Sequence, residues 1–381
     1  MSQSLFVITG EMSGDIHAAA LLEALRRRRP DLRIGGAGGP RTREVAGPAV
    51  RDWLDRAAVM GIVEVLKHYR FFKQSFDSLL AEVSEMKPDV LLLVDYPGFN
   101  FRFAAAVRRA LPGTRIVQYV CPQVWAWKKG RIPKMAELFD EVLCLLPFEP
   151  ELFAATGPKA QFVGHPLVDE LVADRIEVAR EPGLVALLPG SRAPEIDKLF
   201  PTMLETAARL RRTDASLRFE VPAANAALGA KITALVEKSG LGDAVRVLDG
   251  DAHALMQRAH CGIVASGTAT VEAAYYGLPY CLVYRLAWPT YLVARAVLTI
   301  KSVGLINILA GEEVVEEFIQ SDADPCHLAA AMKRFIDHPG EVDDLRAKMT
   351  EVVERLGPPG AHDRAAEAVE QWLPGGRHHT R

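Results

Sequence analysis

The sequence predicts an α/β protein built from two parallel-sheet units in tandem, and three observations carry that prediction. Short apolar runs alternate with amphipathic helical segments from end to end. The runs are continuously apolar, as strands buried on both faces are; Asp89 to Asp95 (DVLLLVD) is the clearest. The pattern then stops in a polar, charged stretch, VDELVADRIEVAREPG, and starts again at Leu184. The length agrees, because 381 residues at about 150 per domain give most simply two domains. Strands alternating with helices mean parallel sheets covered on both faces, so each unit is expected to be Rossmann-like. The expected boundaries are 1–170 and 171–360. A C-terminal helix over Ala361–Leu373 is expected to cross back to the first unit, with a loose tail to residue 381.

In the first unit, Leu5 to Thr9 is a strand that runs into Gly10-Glu11-Met12-Ser13-Gly14-Asp15 and a helix to about Arg29. The cluster Gly35-Gly36-Ala37-Gly38-Gly39 reads as a glycine-rich turn after the second strand. Asp89 to Asp95 is the next strand; Arg115 to Val120, Glu141 to Leu146 and Gln161 to Val163 follow, with a short helix over 102–111. In the second unit, Leu184 to Leu188 leads into Pro189-Gly190-Ser191-Arg192 and a helix from Pro194 to Arg212. Strands Leu217–Val221, Val245–Leu248, Gly262–Ala265 and Tyr280–Tyr284 alternate with helices around 226–239 and 252–259 and one opened by Ser266-Gly267-Thr268. From about residue 327 the pattern is helical.

Composition narrows the function. Apolar residues make up 49% and charged residues 24%, which rules out disorder for the bulk of the chain. With 48 acidic and 45 basic residues the net charge is −3, which argues against general nucleic-acid binding. Five cysteines without CxxC spacing point to a reducing compartment and disfavour a disulfide framework and a zinc site. No signal peptide and no transmembrane helix are expected, so the chain reads as cytoplasmic or at most peripheral on a membrane.

Twin parallel-sheet units suggest nucleotide chemistry, yet the G-x-G-x-x-G fingerprint and the Walker A sequence are both absent. The chemical signal lies in three strand-to-helix turns: GEMSGD (10–15), Pro189 to Arg192, and Ser266 to Thr268. Each places small residues and backbone N–H groups where open α/β sheets bind ligands and helix N-termini favour phosphate. Ordinary capping by Ser, Thr or Asp is the commoner role of any single turn. Two such turns in one unit, one of them carrying Arg192, point to a diphosphate site. Glu272, one turn beyond Thr268, is placed to accept from two ribose hydroxyls, with a solvated helical Glu as the plain alternative. Asp95 ends its strand as a candidate general base; the plain alternative is a cap for the helix that follows, for which Asn100 is at least as good a candidate and Asp95 lies too far upstream. The stretch from Cys121 to Arg131 puts Trp125 and Trp127 beside cations, which suits a sugar or a phosphorylated amphiphile, with a packed loop as the rival reading.

Taken in order, GEMSGD (10–15), AVMGIVEVL (58–66), PDVLLLVDYPGFN (88–100), YVCPQVWAW (119–127), LPFE (146–149), FVGHP (162–166), LLPGSR (187–192), ASGTATVEAA (265–274) and Asn307 within NILAG resemble the lipid-A-disaccharide synthase family. These are bacterial glycosyltransferases of the GT-B type. The resemblance implies two Rossmann-like domains with an interdomain cleft. It also implies transfer from UDP-2,3-diacylglucosamine to 2,3-diacylglucosamine 1-phosphate (lipid X), with inversion and loss of UDP, in lipid A biosynthesis. It places the donor on Gly190, Ser191, Arg192, Ser266, Gly267, Thr268, Glu272 and Asn307. The acceptor falls to Glu11, Ser13, Gly14, Asp15, Trp125 and Trp127, with Asp95 as the catalytic base. Gly98 stands where many members have a second acidic residue, which leaves Asp95 alone. No cofactor and no metal are implied, and no DxD motif suited to a nucleotide sugar is read. Peripheral attachment to the cytoplasmic face of the inner membrane follows from acylated substrates, with the aromatic-basic segment Lys67–Phe76 and Trp288–Ile300 as candidate contacts. The family includes dimers, so a homodimer rests on the resemblance alone. The competing readings are another GT-B enzyme acting on a soluble UDP-sugar, and a non-catalytic binder.

Overall fold

The structure is a computed structural model that describes residues 3–57, 69–127, 129–297 and 302–375. Its contacts divide the chain into Met1–Pro166 joined by Gly357–Arg381, and Leu167–Leu356.

Among the described residues of the first unit, seven strands form one parallel sheet. They are β1 (Ser4–Thr9), β2 (Arg33–Gly38), β3 (Val50–Asp52), β4 (Val90–Val94), β5 (Arg115–Tyr119), β6 (Glu141–Cys144) and β7 (Lys159–Phe162), in the order β3-β2-β1-β4-β5-β6-β7. The direction of winding reverses between β1 and β4, which pair from Leu5↔Val90 to Thr9↔Val94. β4 is buried along its whole length because helices cover both faces. The helix Ala361–Glu370 lies on one face, where Ala365, Ala366 and Val369 share a core with Val7, Leu92 and Val94. Arg364 donates to the carbonyl of Val163, and Arg28 and Arg29 both pair with Glu370 at 2.6 Å.

The expected glycine-rich turn is instead β2 itself. Gly36 has φ 133°, and a Cβ there would stand 2.0 Å from the carbonyl oxygen of Val7 on β1. A side chain at this point would push the two strands apart, so glycine here serves strand pairing. The helix expected over 102–111 begins earlier, at Pro97, whose fixed φ suits a first helical turn. β3 and a strand of the second unit, Glu317–Ile319, carry too few apolar residues to be read from the sequence; each has three residues.

In the second unit, β8 (Glu181–Leu188), β9 (Arg218–Ala223), β10 (Val245–Asp249), β11 (Ala259–Ala265), β12 (Tyr280–Tyr284) and β13 (Glu317–Ile319) form a parallel sheet among the described residues. Its order is β10-β9-β8-β11-β12-β13, with the reversal between β8 and β11. The helices Ala193–Thr213 and Pro325–Asp337 pack on one face through Leu199, Phe200, Met203, Leu328 and Met332. In an open α/β sheet, the crevice outside the carboxyl ends of the strands at the reversal is where ligands bind. Both reversals therefore mark the turns singled out in the sequence.

Candidate active site

In the first unit the turns after β1 and β4 meet. Ser13 donates from Oγ to Asp95 Oδ2 at 3.1 Å. A Cβ on Gly14 would fall 2.3 Å from Thr9 Oγ1 and 3.4 Å from Asp95 Cβ, so only glycine lets the helix start this close to β4. The helix Met12–Arg28 begins at Glu11, whose side chain makes no capping bond. Capping is therefore not what the carboxylate does.

Asp95 and Tyr96 both have left-handed backbones, with φ of 51° and 50°, and Val120 at the end of β5 has φ 66°. Such conformations cost about 1–3 kcal/mol each outside glycine and persist only where the surroundings impose them. Two buried amides impose them here. Asn100 donates from Nδ2 to the Asp95 carbonyl at 2.5 Å. Gln118 donates from Nε2 to the carbonyls of Asp95, Tyr119 and Val120 at 3.1–3.2 Å. The Asp95 N–H donates to the Tyr119 carbonyl at 2.9 Å. Asn100, the expected cap, is thus a clamp on the strained turn. Asn100→Ala should cost about 1–3 kcal/mol of stability by orphaning buried polar groups, read as a lowered denaturant midpoint with unchanged slope. An unchanged midpoint would show that the clamp carries nothing.

The electrostatics around this turn are one-sided. Burial and the negative charge of Asp95 raise the pKa of Glu11. Burial lowers that of His17 although Asp95 pulls the other way. Burial, then His17, pushes His165 down to about 4. His17 Nδ1 lies 3.4 Å from His362 Nε2, which brings the C-terminal helix to the edge of the site.

Three expected ligand residues are used inside the fold instead. Asp15 is 2% exposed, and its carboxylate accepts from the N–H groups of Gly39, Arg41 and Thr42 and from the Thr42 hydroxyl. It caps the helix Pro40–Ala46 from a distance. Trp125 is buried and donates from Nε1 to Glu149 Oε1 at 3.0 Å. Asn307, 1% exposed, accepts from the N–H groups of Val314 and Val315 and donates to the Val315 carbonyl and Glu317, so its amide holds a loop. The side chain of Trp127, the segment 58–66, and Lys67 and His68 lie outside the described residues. Phe71 and Phe76, expected as membrane contacts, pack instead on the core, Phe71 against Trp53 and Phe76 against Phe99 and Phe103.

The sequence also gave no sign that Cys121, Cys144 and Glu149 converge. Their ligand atoms lie within 4.8 Å of one another, all buried. Burial, offset by bonds from Leu146, Trp125, Leu145 and Cys121, leaves Glu149 pushed up to about 7. The trio ties the CPQVW segment to the LPFE turn, and both Glu149 oxygens already accept hydrogen bonds from Trp125, Leu145 and Leu146.

In the second unit, a cavity of about 1010 Å³ opens at the reversal between β8 and β11. It is lined by Gly190, Ser191, Arg192, Ser266, Gly267, Thr268 and Glu272, every expected donor residue except Asn307. Neither turn is occupied in capping: Arg192 at the head of the helix Ala193–Thr213 and Thr268 at the head of Ala269–Tyr275 make no side-chain cap bond. Gly267 has φ 144° with nothing within 4 Å of a Cβ position, so the turn keeps open space above bare backbone. Arg192 is exposed over 72% of its side chain and rests on Glu195 at 3.3 Å, within reach of an anion in the cavity. Asp249-Gly250-Asp251 has the DxD spacing after all, and Asp251 lines the cavity. Among the described residues no third carboxylate, histidine or cysteine closes with that pair.

Two Rossmann-like units, each with a chemically equipped turn at its sheet reversal, define the GT-B class of fold. A solved structure of MurG from Acinetobacter baumannii shares this fold, with a TM-score of 0.59 at 14% identity over 97% of this chain and 100% of that one. Residues 5–370 match the family described as lipid-A-disaccharide synthetase. The lipid-A-disaccharide synthases of Geobacter sulfurreducens and Myxococcus xanthus are 37% and 38% identical, each over 98% of both chains. The chain belongs to the lipid-A-disaccharide synthetase family, and is a glycosyltransferase of lipid A biosynthesis.

Proposed function

We propose that the enzyme joins UDP-2,3-diacylglucosamine to the 6-hydroxyl of 2,3-diacylglucosamine 1-phosphate, giving a β-1′,6-linked disaccharide 1-phosphate and UDP. Family membership supports the substrate pair. The observation that carries the chemistry is the strained, clamped Asp95 turn at the reversal of one sheet, matched by the phosphate-type cavity at the reversal of the other. Asp95 takes the proton of the acceptor hydroxyl as O6 bonds to the anomeric carbon and the bond to the diphosphate breaks. Arg192 and the N-terminus of the 21-residue helix Ala193–Thr213 receive the charge that UDP carries away. Glu272 accepts from the ribose hydroxyls. Glu11, Ser13 and Gly14 shape the acceptor side of Asp95.

Lipid substrates need apolar surface, and the first unit offers it beside this turn. Met12 and Ile16, one helical turn apart, are 71% and 37% exposed. In the second unit Trp288 and Leu292 are 61% and 59% exposed on the helix Trp288–Val297. Among the described residues no helix is long and apolar enough to cross a membrane. These faces fit peripheral attachment to the inner membrane through its cytoplasmic leaflet.

The leaving diphosphate is stabilised by protein groups and not by a metal ion. EDTA should therefore leave the initial rate within about twofold; a rate abolished by EDTA and restored by magnesium would assign Asp249 and Asp251 to a cation. UDP release measured with acylated and deacylated acceptors tests the substrate class. Release that depends on the acylated acceptor is expected. Equal release with a soluble sugar, or without any acceptor, would favour an enzyme acting on a soluble UDP-sugar.

A further inference from the structure

The cavity in the second unit holds a residue to which neither the motifs nor the family resemblance gives a role. His253, on the helix Ala252–Arg258, lines the same cavity as Arg192, Thr268 and Glu272. Its Nδ1 lies 2.7 Å from Asp174 Oδ2, and its Nε2 lies 3.4 Å from Glu272 Oε2. A carboxylate beside each ring nitrogen favours the doubly protonated imidazolium, which can donate toward both. The bond to Glu272, opposed by burial and aided by Asp174, pushes the pKa up to about 9.

The surroundings fix the ring in turn. Tyr276 packs at 5.4 Å between ring centroids and donates its hydroxyl to the Leu171 carbonyl at 3.1 Å. One turn along from His253, Gln257 donates to the Asp174 carbonyl at 2.9 Å and accepts from the Ile176 N–H at 2.8 Å. The helix therefore grips the segment leading into β8 at two points. Glu272, 15% exposed, meets His253 through a single oxygen, and among the described residues its other oxygen makes no ion pair.

We propose that His253 is a positioning residue of the donor site: clasped by Asp174, its ring orients the Glu272 carboxylate for the ribose hydroxyls. The inference rests on the reading of Glu272 as the ribose contact. A carboxylate so held loses little rotamer freedom when a nucleotide arrives, whereas an untethered one must be ordered at the expense of affinity.

Calorimetric titration of the full-length enzyme with UDP and 2′-deoxy-UDP tests this. The wild-type protein should prefer UDP by about tenfold to a hundredfold, as loss of a hydrogen bond to a charged group predicts. His253→Phe keeps a ring against Tyr276 and removes both ring nitrogens. It should cut that preference by about tenfold while the affinity for 2′-deoxy-UDP stays within about threefold. In steady state the loss should fall on the donor KM more than on kcat. His253→Ala gives the same reading should the phenylalanine variant fail to fold. Full preference in a folded His253 variant, together with its loss in Glu272→Ala, would overturn the inference and leave the ribose contact standing. Full preference in Glu272→Ala would overturn both.

Discussion

Asp95→Asn should lower kcat by about 10²–10⁴-fold, the usual contribution of a general base. An acceptor hydroxyl is a poor nucleophile until its proton leaves, and the amide oxygen of asparagine is far too weak a base to take it. The substitution is otherwise quiet at this position. Asparagine tolerates the left-handed backbone as well as aspartate does, so the φ of 51° is neither relieved nor further strained. The amide oxygen can still accept from Ser13, and the clamp of Asn100 and Gln118 acts on the main chain, which does not change. Asp95→Ala would confound the result, because alanine at this φ adds strain. UDP affinity should be unaltered, since the cavity proposed for the nucleotide is lined by residues of the other unit. Near-wild-type turnover in folded Asp95→Asn would remove Asp95 as the base, and Glu11 and His17 at the first turn would be the next to test.

Arg192→Ala should lower kcat/KM on the order of 10²-fold, about 2–3 kcal/mol of transition-state stabilisation. The guanidinium is solvated before substrate arrives, with 72% of its side chain exposed, so the loss should fall short of that for a buried ion pair. Two controls separate phosphate recognition from general damage. Uridine, which has no phosphate, should bind the variant and the wild type alike. Arg192→Lys should recover part of the loss, because it restores the charge without the two-pronged geometry. Equal weakening of uridine and UDP would place Arg192 away from the diphosphate.

The sequence reveals those parts of the molecule where one local signal suffices. β1, β4 and β12 are unbroken apolar runs, and the turns after β1, β8 and β11 carry small residues at a strand end. These features lie at the reversal of each sheet. What the sequence hides are roles set by distant partners. Asp15 reads as part of a ligand turn, yet its carboxylate is saturated by the helix Pro40–Ala46, about 25 residues along the chain. Asn100 reads as a cap and is a clamp, because Gln118 and the Asp95 carbonyl arrive from neighbouring strand ends. β2 is hidden by its glycines, whose meaning depends on how near β1 comes. His253 gives no local signal at all: its function appears only when Asp174 and Glu272 close around it.

The most direct test of the account is to identify the product. The full-length enzyme is incubated with UDP-2,3-diacylglucosamine and 2,3-diacylglucosamine 1-phosphate, and the lipid fraction is analysed by mass spectrometry and by NMR of the new anomeric centre. A tetraacyl disaccharide 1-phosphate with a β-1′,6 linkage, formed in step with UDP, is the expected result. An α linkage would contradict inversion by Asp95, and an epimerised UDP-sugar with no disaccharide would contradict the transfer itself.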